Sequence, residues 1–272
     1  MSLRNQFSIF LVITLSVSMQ VASMMLNEFA SKPFVRQALA KPSKMKSVLT
    51  FFFGVDYSDP SDIDNKLRKG KALFEMQELW YKGGPEYDKL CQPFADTIRA
   101  AGKGNLSDWN SSVDGVVAQM VLCDQLSRNV FRGTSEAYAY DSNALDTARI
   151  LSDSFSSMSS TDSNLQGEFF PPYLSFVVTA LMHSESLSDH DSAISLLKLA
   201  KEHCSDDLRQ QWDFQESFEL EHKAVVDRFG RYPHRNSLHG RECTPEEEEW
   251  LADVDNLPKW ALSQLPSTSK ET

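Results

Sequence analysis

The sequence of 272 residues predicts an all-α protein, and three observations support this fold class. From residue 44 to residue 251, apolar residues recur at spacings of three and four, which is the period of a helix with one buried face. No segment of useful length alternates polar and apolar residues with the period of two that a β-strand shows. Glycine, proline and capping residues divide the chain into helix-sized segments, which we expect to pack as antiparallel pairs.

The first four predicted helices are bounded by glycine, by proline or by a capping pair. In chain order they are 44–53 ending at Gly54, 61–81 ending at Gly83 and Gly84, 85–101 between Pro85 and Gly102, and 111–126 opened by Ser111 and Asp114. Glycine favours the left-handed backbone that ends a helix, and proline suits a first helical turn. Ser111 and Asp114 have the spacing of a capping box, with Asp in place of the usual Glu.

The remaining predicted helices have equally clear boundaries. They are 141–151 capped by Asp141 or Ser142, 171–181 opened by Pro171 and Pro172, 188–200, 206–229 ended by Gly230, and 245–251 opened by a capping box from Thr244 to Glu247. Residues 152–163 are polar and rich in serine, so they are predicted to form a loop. The segment 206–229 is the longest predicted helix.

The two ends of the chain differ in composition from the helical body. Residues 1–23 have the features of a signal peptide: Arg4, an apolar run from 7 to 17 and small residues before the cleavage position. Residues 24–46 are transit-like, with one acid among the basic residues Lys32, Arg36, Lys41, Lys44 and Lys46. We interpret 47–265 as a single all-α domain and 266–272 as a polar tail.

This leader predicts entry into the secretory pathway. A signal peptide followed by a transit-like segment is similar to the leaders that direct proteins to the plastids of some algae, although Met24 stands where such leaders carry phenylalanine. The plastid, the endomembrane lumen and secretion are therefore all open destinations, and an uncleaved signal anchor is the alternative interpretation. Once the leader is removed, the sequence predicts no stable membrane span.

The formal net charge is −11, from 27 basic and 38 acidic residues. Because the leader holds several of the basic residues and little acid, the helical body is more acidic than this total. Binding to nucleic acid needs a surplus of lysine and arginine against phosphates, so nucleic acid is excluded as a partner. The oligomeric state is not determined by these features.

The first unusual polar segment extends an apolar helix. It contains Asp124, Gln125, Arg128, Asn129 and Arg132. Asp124 with Arg128, and Gln125 with Asn129, are spaced i and i+4, so each pair is predicted to meet on one helix surface, and Arg132 continues the Arg128 row. The segment is either a helix end with an intrahelical salt bridge or part of a partly buried polar network.

The second unusual polar segment follows the longest helix and has several arginines in an acidic body. Its candidate binding residues are Arg231, Arg235, Asn236 and Arg241. Arginine forks suit carboxylate and phosphate groups, so these residues together with the first segment are candidate ligand-binding residues. The alternative is that they pair with carboxylates of the domain itself and stabilise the fold.

All six histidines lie between residues 183 and 239. His183, Glu185 and His234 are the candidate acid–base residues if the histidines face the arginines. The sequence has no zinc-protease motif and no Cys-x-x-Cys pair, so we predict no metal site. It also has no nucleotide-binding glycine motif and no nucleophile elbow, so we predict no cofactor.

These motifs resemble the family known as domain of unknown function 924, over about Val48 to Leu251. The shared motifs are Val48–Gly54, Trp80-Tyr81, Trp109, Asp124–Gly133, His183–Glu185, Arg228–Asn236 and Gly240–Glu246. The resemblance implies an all-helical, tetratricopeptide-like fold and supplies no activity. Phe52 and His190 depart from the family pattern, which usually has tryptophan and glutamine there, and so does the segment 178–182 before His183.

Three hypotheses for function follow. The first is a binding protein whose arginine, histidine and asparagine residues recognise an anionic small molecule or a peptide carboxylate. The second is an enzyme that uses the same cluster for acid–base or hydrolytic chemistry through His183, Glu185 or His234. The third is a scaffold in which the clusters only stabilise packing. Convergence of the two segments on one accessible site is the observation that separates them.

Overall fold

The computed structural model describes residues 23–157 and 170–264, and every structural statement below refers to these residues. They are mostly helical, with no β-strand in either range. The predicted all-α fold class is therefore confirmed. The predicted signal peptide up to residue 22 and the predicted polar tail lie outside the described residues.

The first half of the fold consists of short helices joined by tight turns. They are α1 (Pro33–Ala40), α2 (Met45–Phe53), α3 (Pro60–Ile63), α4 (Ala72–Glu75), α5 (Gln77–Lys82), α6 (Gly84–Cys91), α7 (Ala95–Gly102), α8 (Val113–Val121) and α9 (Ser127–Val130). Residues 23–31 are also helical. Two π turns, Asp64–Arg68 and Leu122–Leu126, follow α3 and α8, and 3₁₀ turns lie at Gln92–Phe94, Ser107–Ser111 and Ser135–Tyr138.

The second half contains the long helices. They are α10 (Asp141–Ser157), α11 (Pro171–Met182), α12 (Leu187–His203), α13 (Asp206–Phe229), α14 (Pro245–Ala252) and α15 (Lys259–Gln264), with a 3₁₀ turn at Pro233–Arg235. From α10 to α13, each helix packs against the next one along the chain. A tetratricopeptide-like arrangement of these helices stays a prediction. Among the described residues, no helix has both the length and the apolar composition needed to cross a bilayer.

Several predicted boundaries are confirmed residue by residue. Helix α2 ends at Gly54, which has a φ of 65°, and α13 ends at Gly230, which has a φ of 69°. Both glycines adopt the left-handed conformation that ends helices because they lack a Cβ atom. The capping box before α14 is present in full, with Thr244 and Glu247 each accepting a hydrogen bond from the other's backbone N–H.

The charged segment 61–81 is not the single helix that its sequence predicts. It breaks at Gly70, which has a φ of 71°, and a Cβ atom there would come within 2.9 Å of Leu208. Before the break, the backbone widens into the π turn at Asp64–Arg68, where the buried amine of Lys66 donates to the carbonyl of Gly54. These tertiary contacts outweigh the helical preference of the segment.

Two further boundaries differ from the prediction. The cap of α8 is Ser112 rather than Ser111, because the Ser112 hydroxyl accepts from the N–H of Gly115 at 3.1 Å. Helix α10 also continues through the serine-rich stretch to Ser157. Buried Phe155 anchors this stretch, and Ser154 donates back to the carbonyl of Ile150, so its hydroxyl does not compete with the helix. The predicted loop positions 158–163 lie outside the described residues.

The segment 24–46, predicted as transit-like, contributes to the hydrophobic core. Leu26, Phe29, Val35 and Ala38 are all buried, and Val35 has no exposed surface. Helix α1 packs directly on α2, and the ring of Phe29 lies 5.8 Å from that of Phe51. The core therefore begins well before residue 47, so a domain boundary there would divide it.

Aromatic rings fill the centre of the core. Phe52 stacks on Trp80 with ring centroids 5.2 Å apart, and Phe176 meets Trp80 edge-on at 4.8 Å. The indole N–H of Trp80 donates to the carbonyl of Phe52 at 2.9 Å, so its polar edge is satisfied inside the core. This cluster connects α2, α5 and α11, and the second half of the fold is thereby tied to the first.

The Thr244→Ala variant is expected to lose about 1 kcal/mol of unfolding free energy. It removes the hydroxyl that accepts from the N–H of Glu247. The control is Ser205→Ala, because Ser205 caps α13 without a side-chain hydrogen bond. Urea denaturation measures both variants, and equal losses in the two would contradict a role for the Thr244 hydroxyl.

Candidate functional site

The two unusual polar segments meet through a closed ring of five residues. The Nδ1 atom of His183 lies 2.6 Å from Oδ1 of Asp124, and Arg235 donates to the carbonyl of His183 at 2.8 Å. Arg235 also lies 3.8 Å from Asp141, which accepts two hydrogen bonds from Arg128. Arg128 closes the ring at 3.6 Å from Asp124. This ring is the candidate functional site, hereafter the His183 ring.

The fold places the two members of the closest pair by different means. Asp124 lies in the π turn at Leu122–Leu126, and His183 is the residue that ends α11. Burial alone would raise the pKa of Asp124, but His183, Arg128 and Gln125 together hold it below its ordinary value. Asp124 is thus a buried carboxylate that stays ionised beside the imidazole.

The π turn changes the predicted i and i+4 pairs: Asp124 and Arg128 remain an ion pair at 3.6 Å, whereas Gln125 and Asn129 do not meet. Gln125 donates to Asp124 rather than meeting Asn129. Arg128 makes short bonds with Asp141, at 2.7 and 2.8 Å, and with the carbonyl of Ala137, and its contact with Asp124 is longer. One extra residue in the turn rotates the following side chains away from the ideal helical row.

Arg128 and Arg235 both lie against the ring of Tyr138. Their guanidinium carbons are 4.3 and 5.3 Å from its centroid, and Arg235 is also 4.5 Å from the centroid of Tyr232. Guanidinium groups stack favourably on aromatic faces when water is excluded. The pKa of Arg128 is raised, because Asp141 and Asp124 outweigh the effect of burial. Both arginines are therefore held rigidly.

Glu185 and Arg241 form a second pair beside the ring. Arg241 donates to both carboxylate oxygens of Glu185, at 2.6 and 2.9 Å, and the N–H of Tyr232 donates to Oε1 at 2.9 Å. Burial would raise the pKa of Glu185, but Arg241 and the Tyr232 N–H lower it overall. Glu185 is a fully paired carboxylate, which suits fixing the loop better than exchanging protons.

The remaining predicted binding residues lie in two other clusters. Arg231 donates to both oxygens of Glu247, at 2.6 and 2.8 Å, and Asn236 contacts the same carboxylate at 3.3 Å. Arg231 lowers the pKa of Glu247 to about 2. These contacts bind the loop to the cap of α14.

Arg132 and Asn129 form the other cluster, on Asp88 of α6. Arg132 donates to Asp88 at 2.6 and 3.0 Å, and Asn129 donates to it at 2.8 Å. The sequence predicted one cluster, but its residues are distributed over the His183 ring, the Glu185–Arg241 pair beside it and the two clusters on Glu247 and Asp88. Arg128, Arg132, Arg231 and Arg241 each hold a carboxylate of the protein itself at close range.

His234 is buried among aromatic rings. Its ring lies 5.5 Å from Tyr232 and 5.4 Å from Trp260, and within the described part of the chain neither nitrogen has a hydrogen-bond partner. Burial and the charge of Arg235 lower its pKa well below the usual value. A neutral, enclosed imidazole is a packing residue here, so His234 is a poor acid–base candidate.

Sequence patterns missed two features next to the ring. Asp141 looked like a helix cap, but its carboxylate is the partner of Arg128 and Arg235. His190 and Glu219, both without exposed surface, form a buried pair with Nδ1 and Oε1 2.5 Å apart. Burial raises the pKa of Glu219. The only signal for this pair was that His190 departs from the family pattern.

The described residues offer no set of metal ligands at this site. In residues 23–157 and 170–264, no three histidine, cysteine, aspartate or glutamate side chains come together as a metal site would need. Among the described residues, the nitrogens of the ring that have no hydrogen-bond partner include the enclosed Nε of Arg235 and the Nε2 of His183, whose side chain is 18% exposed while that of Asp124 is 3% exposed. The arrangement can therefore move a proton at Nε2 of His183.

Comparison with known proteins gives one family and one solved structure. The family described as "Bacterial protein of unknown function (DUF924)" matches residues 48–255, which contain all the site residues above. A protein of unknown function from Agrobacterium tumefaciens, ATU0120, has a solved structure at 28% identity. The match covers 63% of this chain and 87% of that one, with a TM-score of 0.47. No curated protein matches the chain.

Proposed function

The chain belongs to the DUF924 family, and from that premise we propose that it is an enzyme in which His183 exchanges a proton with a small polar substrate. The observation that carries the proposal is the 2.6 Å contact between Nδ1 of His183 and the buried carboxylate of Asp124. A buried carboxylate on one imidazole nitrogen leaves the other to act as general base or acid.

The tautomer of His183 follows from this contact. An ionised carboxylate can only accept hydrogen bonds, so the proton of a neutral His183 imidazole is on Nδ1. The lone pair of Nε2 is then available on the partly exposed side of the imidazole. When Nε2 takes a proton, Asp124 stabilises the resulting positive charge.

The arginines of the ring support this pair. Arg235 fixes the carbonyl of His183, and Arg128 fixes Asp141 and approaches Asp124. Two arginines face two aspartates, so the ring carries no surplus of positive charge for an anion. If the ring bound an anion, as one hypothesis from the sequence holds, the anion would have to displace carboxylates that already bond the arginines. This cost is the reason that we propose acid–base chemistry at His183 instead.

His183→Gln is expected to reduce turnover by about 100-fold to 10,000-fold, the usual contribution of a general acid–base group. The assay is a screen of hydrolytic, lyase and isomerase substrates with the purified protein, followed by kinetics on any substrate that is turned over. Asp124→Asn should lower turnover as well, because an amide can stabilise the wrong tautomer. The matched control is His203→Gln, an exposed histidine on α12.

A readout that needs no substrate is the nitrogen NMR spectrum of the histidines. We expect His183 to carry its proton on Nδ1 in the wild type and to lose that preference in Asp124→Asn. A proton on Nε2 in the wild type, or unchanged turnover in His183→Gln, would overturn the proposal. Loss of stability in His183→Gln with no turnover by the wild type would favour the scaffold hypothesis instead.

A further inference from the structure

A pocket of about 290 Å³ lies between α1, α2 and the turn that follows α2, away from the His183 ring. Its polar lining includes Gln37, Lys41, Lys46, Ser47, Thr50 and Asp56. Part of this lining belongs to the segment that the sequence predicted as a disposable leader. The pocket exists only because α1 packs on α2.

The two lysines of the pocket differ from the arginines described above. Among the described residues, no carboxylate lies within ion-pair distance of Lys41 or Lys46, and both side chains are exposed. Lys46 instead lies 5.9 Å from the ring centroid of Tyr57. These cations are therefore free to meet an anion in a protein that is otherwise strongly acidic.

Neutral polar groups of the pocket are also left open. Thr50 is 7% exposed and lines the pocket, and within the described ranges no hydrogen bond involves its hydroxyl. The side chains of Gln37 and Ser47 also line the pocket and make no hydrogen bond to other described residues. The Thr50 oxygen is not one of the enclosed polar atoms without a partner, so it is open to the pocket and can donate to a ligand there.

Asp56 and Tyr57 define the remaining chemistry of the pocket. Oδ1 of Asp56 accepts from the N–H and the hydroxyl of Ser58, at 2.9 and 2.6 Å, which leaves Oδ2 to accept from a ligand hydroxyl. The Tyr57 hydroxyl is bonded to that of Tyr173 at 2.8 Å, and Tyr173 donates to Asp114 at 2.8 Å. Tyr57 is thereby fixed as a wall of the pocket.

We propose that this pocket binds a small hydroxylated organic phosphate, such as a sugar phosphate. Lys41 and Lys46 meet the phosphate, Ser47, Thr50 and Gln37 donate to its oxygens or to the hydroxyl groups, and Asp56 accepts from a hydroxyl. The acidity of the whole protein excludes a phosphate polymer, whose remaining charges would be repelled. The proposal is independent of the chemistry assigned to His183.

The test is calorimetric titration of the full chain with glucose 6-phosphate, inorganic phosphate, glucose and citrate. Glucose 6-phosphate is expected to bind more tightly than the other three, and more weakly as salt is added. Lys41→Ala/Lys46→Ala should weaken binding at least about 100-fold, since each charged hydrogen bond lost is worth about tenfold or more. Thr50→Val should weaken it by a smaller factor.

The matched control is Lys71→Ala/Lys103→Ala, which removes two exposed lysines outside the pocket. This variant should bind as the wild type does, and thermal melts should show that all variants fold. No binding of glucose 6-phosphate by the wild type, or equal loss in both double variants, would overturn the proposal. Citrate binding as tightly as glucose 6-phosphate would overturn the assignment to phosphates, and inorganic phosphate doing so would overturn the requirement for hydroxyl groups.

Discussion

A chain that begins at residue 42 is expected to lose about 5 kcal/mol or more of unfolding free energy relative to a chain that begins at residue 24. Residues 24–41 bring the buried side chains of Leu26, Phe29 and Val35 into the core. Burying each such side chain is worth about 1.5–3 kcal/mol, and removing α1 also exposes the face of α2 on which it packs. Urea denaturation of the two chains measures the loss.

Two point variants separate core packing from mere truncation. Val35→Ala is expected to destabilise the protein by about 1–3 kcal/mol, whereas Arg36→Ala, on the exposed face of the same helix, should be nearly neutral. If the chain from residue 42 melts as the longer chain does, residues 24–41 are dispensable, as their composition suggested. A loss of stability in the chain from residue 42 would instead mean that a leader, if one is cleaved, ends before the first core residues.

The second large effect is a loss of stability as the pH falls from 7 to 5. His222 is buried and stacks on Trp260 at 3.7 Å, and burial lowers its pKa to about 3. Burial also lowers the pKa of His234. In the unfolded chain both histidines take up a proton near pH 6.5, so below that pH the unfolded state binds more protons and is favoured. The two together should cost about 4 kcal/mol at pH 5.

This loss is measured by urea denaturation at pH 7, 6 and 5. His222→Gln should remove about half of the pH dependence, although it also weakens the protein at pH 7 by losing the stack on Trp260. His203→Gln is the control, because an exposed side chain keeps its solvent on folding. The raised pKa of Glu219 acts in the opposite direction, so Glu219→Gln should steepen the profile. A flat profile from pH 7 to pH 5 in the wild type would contradict the expected burial of His222 and His234.

Local sequence was sufficient for much of the helical organisation. The end of α13 at Gly230 and the capping box at Thr244 appear in the structure where they were predicted, because caps depend on a few neighbouring residues. The segment 61–81 was mispredicted, since Gly70 and the buried Lys66 respond to residues that are distant in sequence. A propensity argument does not include those contacts.

The candidate site also depends partly on local sequence and largely on tertiary contacts. Sequence identified the two polar segments, and the structure joins them through His183, Asp124 and Arg235. Sequence patterns did not identify Asp141 as the carboxylate between Arg128 and Arg235. They also did not identify Asp88 and Glu247 as the partners of the other arginines. Which carboxylate reaches which arginine is decided by helices that are far apart along the chain.

The sequence by itself determined that this protein is all-α, where its longest helix ends, and which two segments concentrate its arginines and polar residues. Tertiary structure alone decided that most of the arginines are bound by the protein's own carboxylates, while His183, Lys41 and Lys46 keep groups open to solvent. The physical reason is that periodicity and capping act over a few residues. Pairing of charges and burial of a histidine depend on the distances between side chains and on excluded water, which exist only after the helices pack.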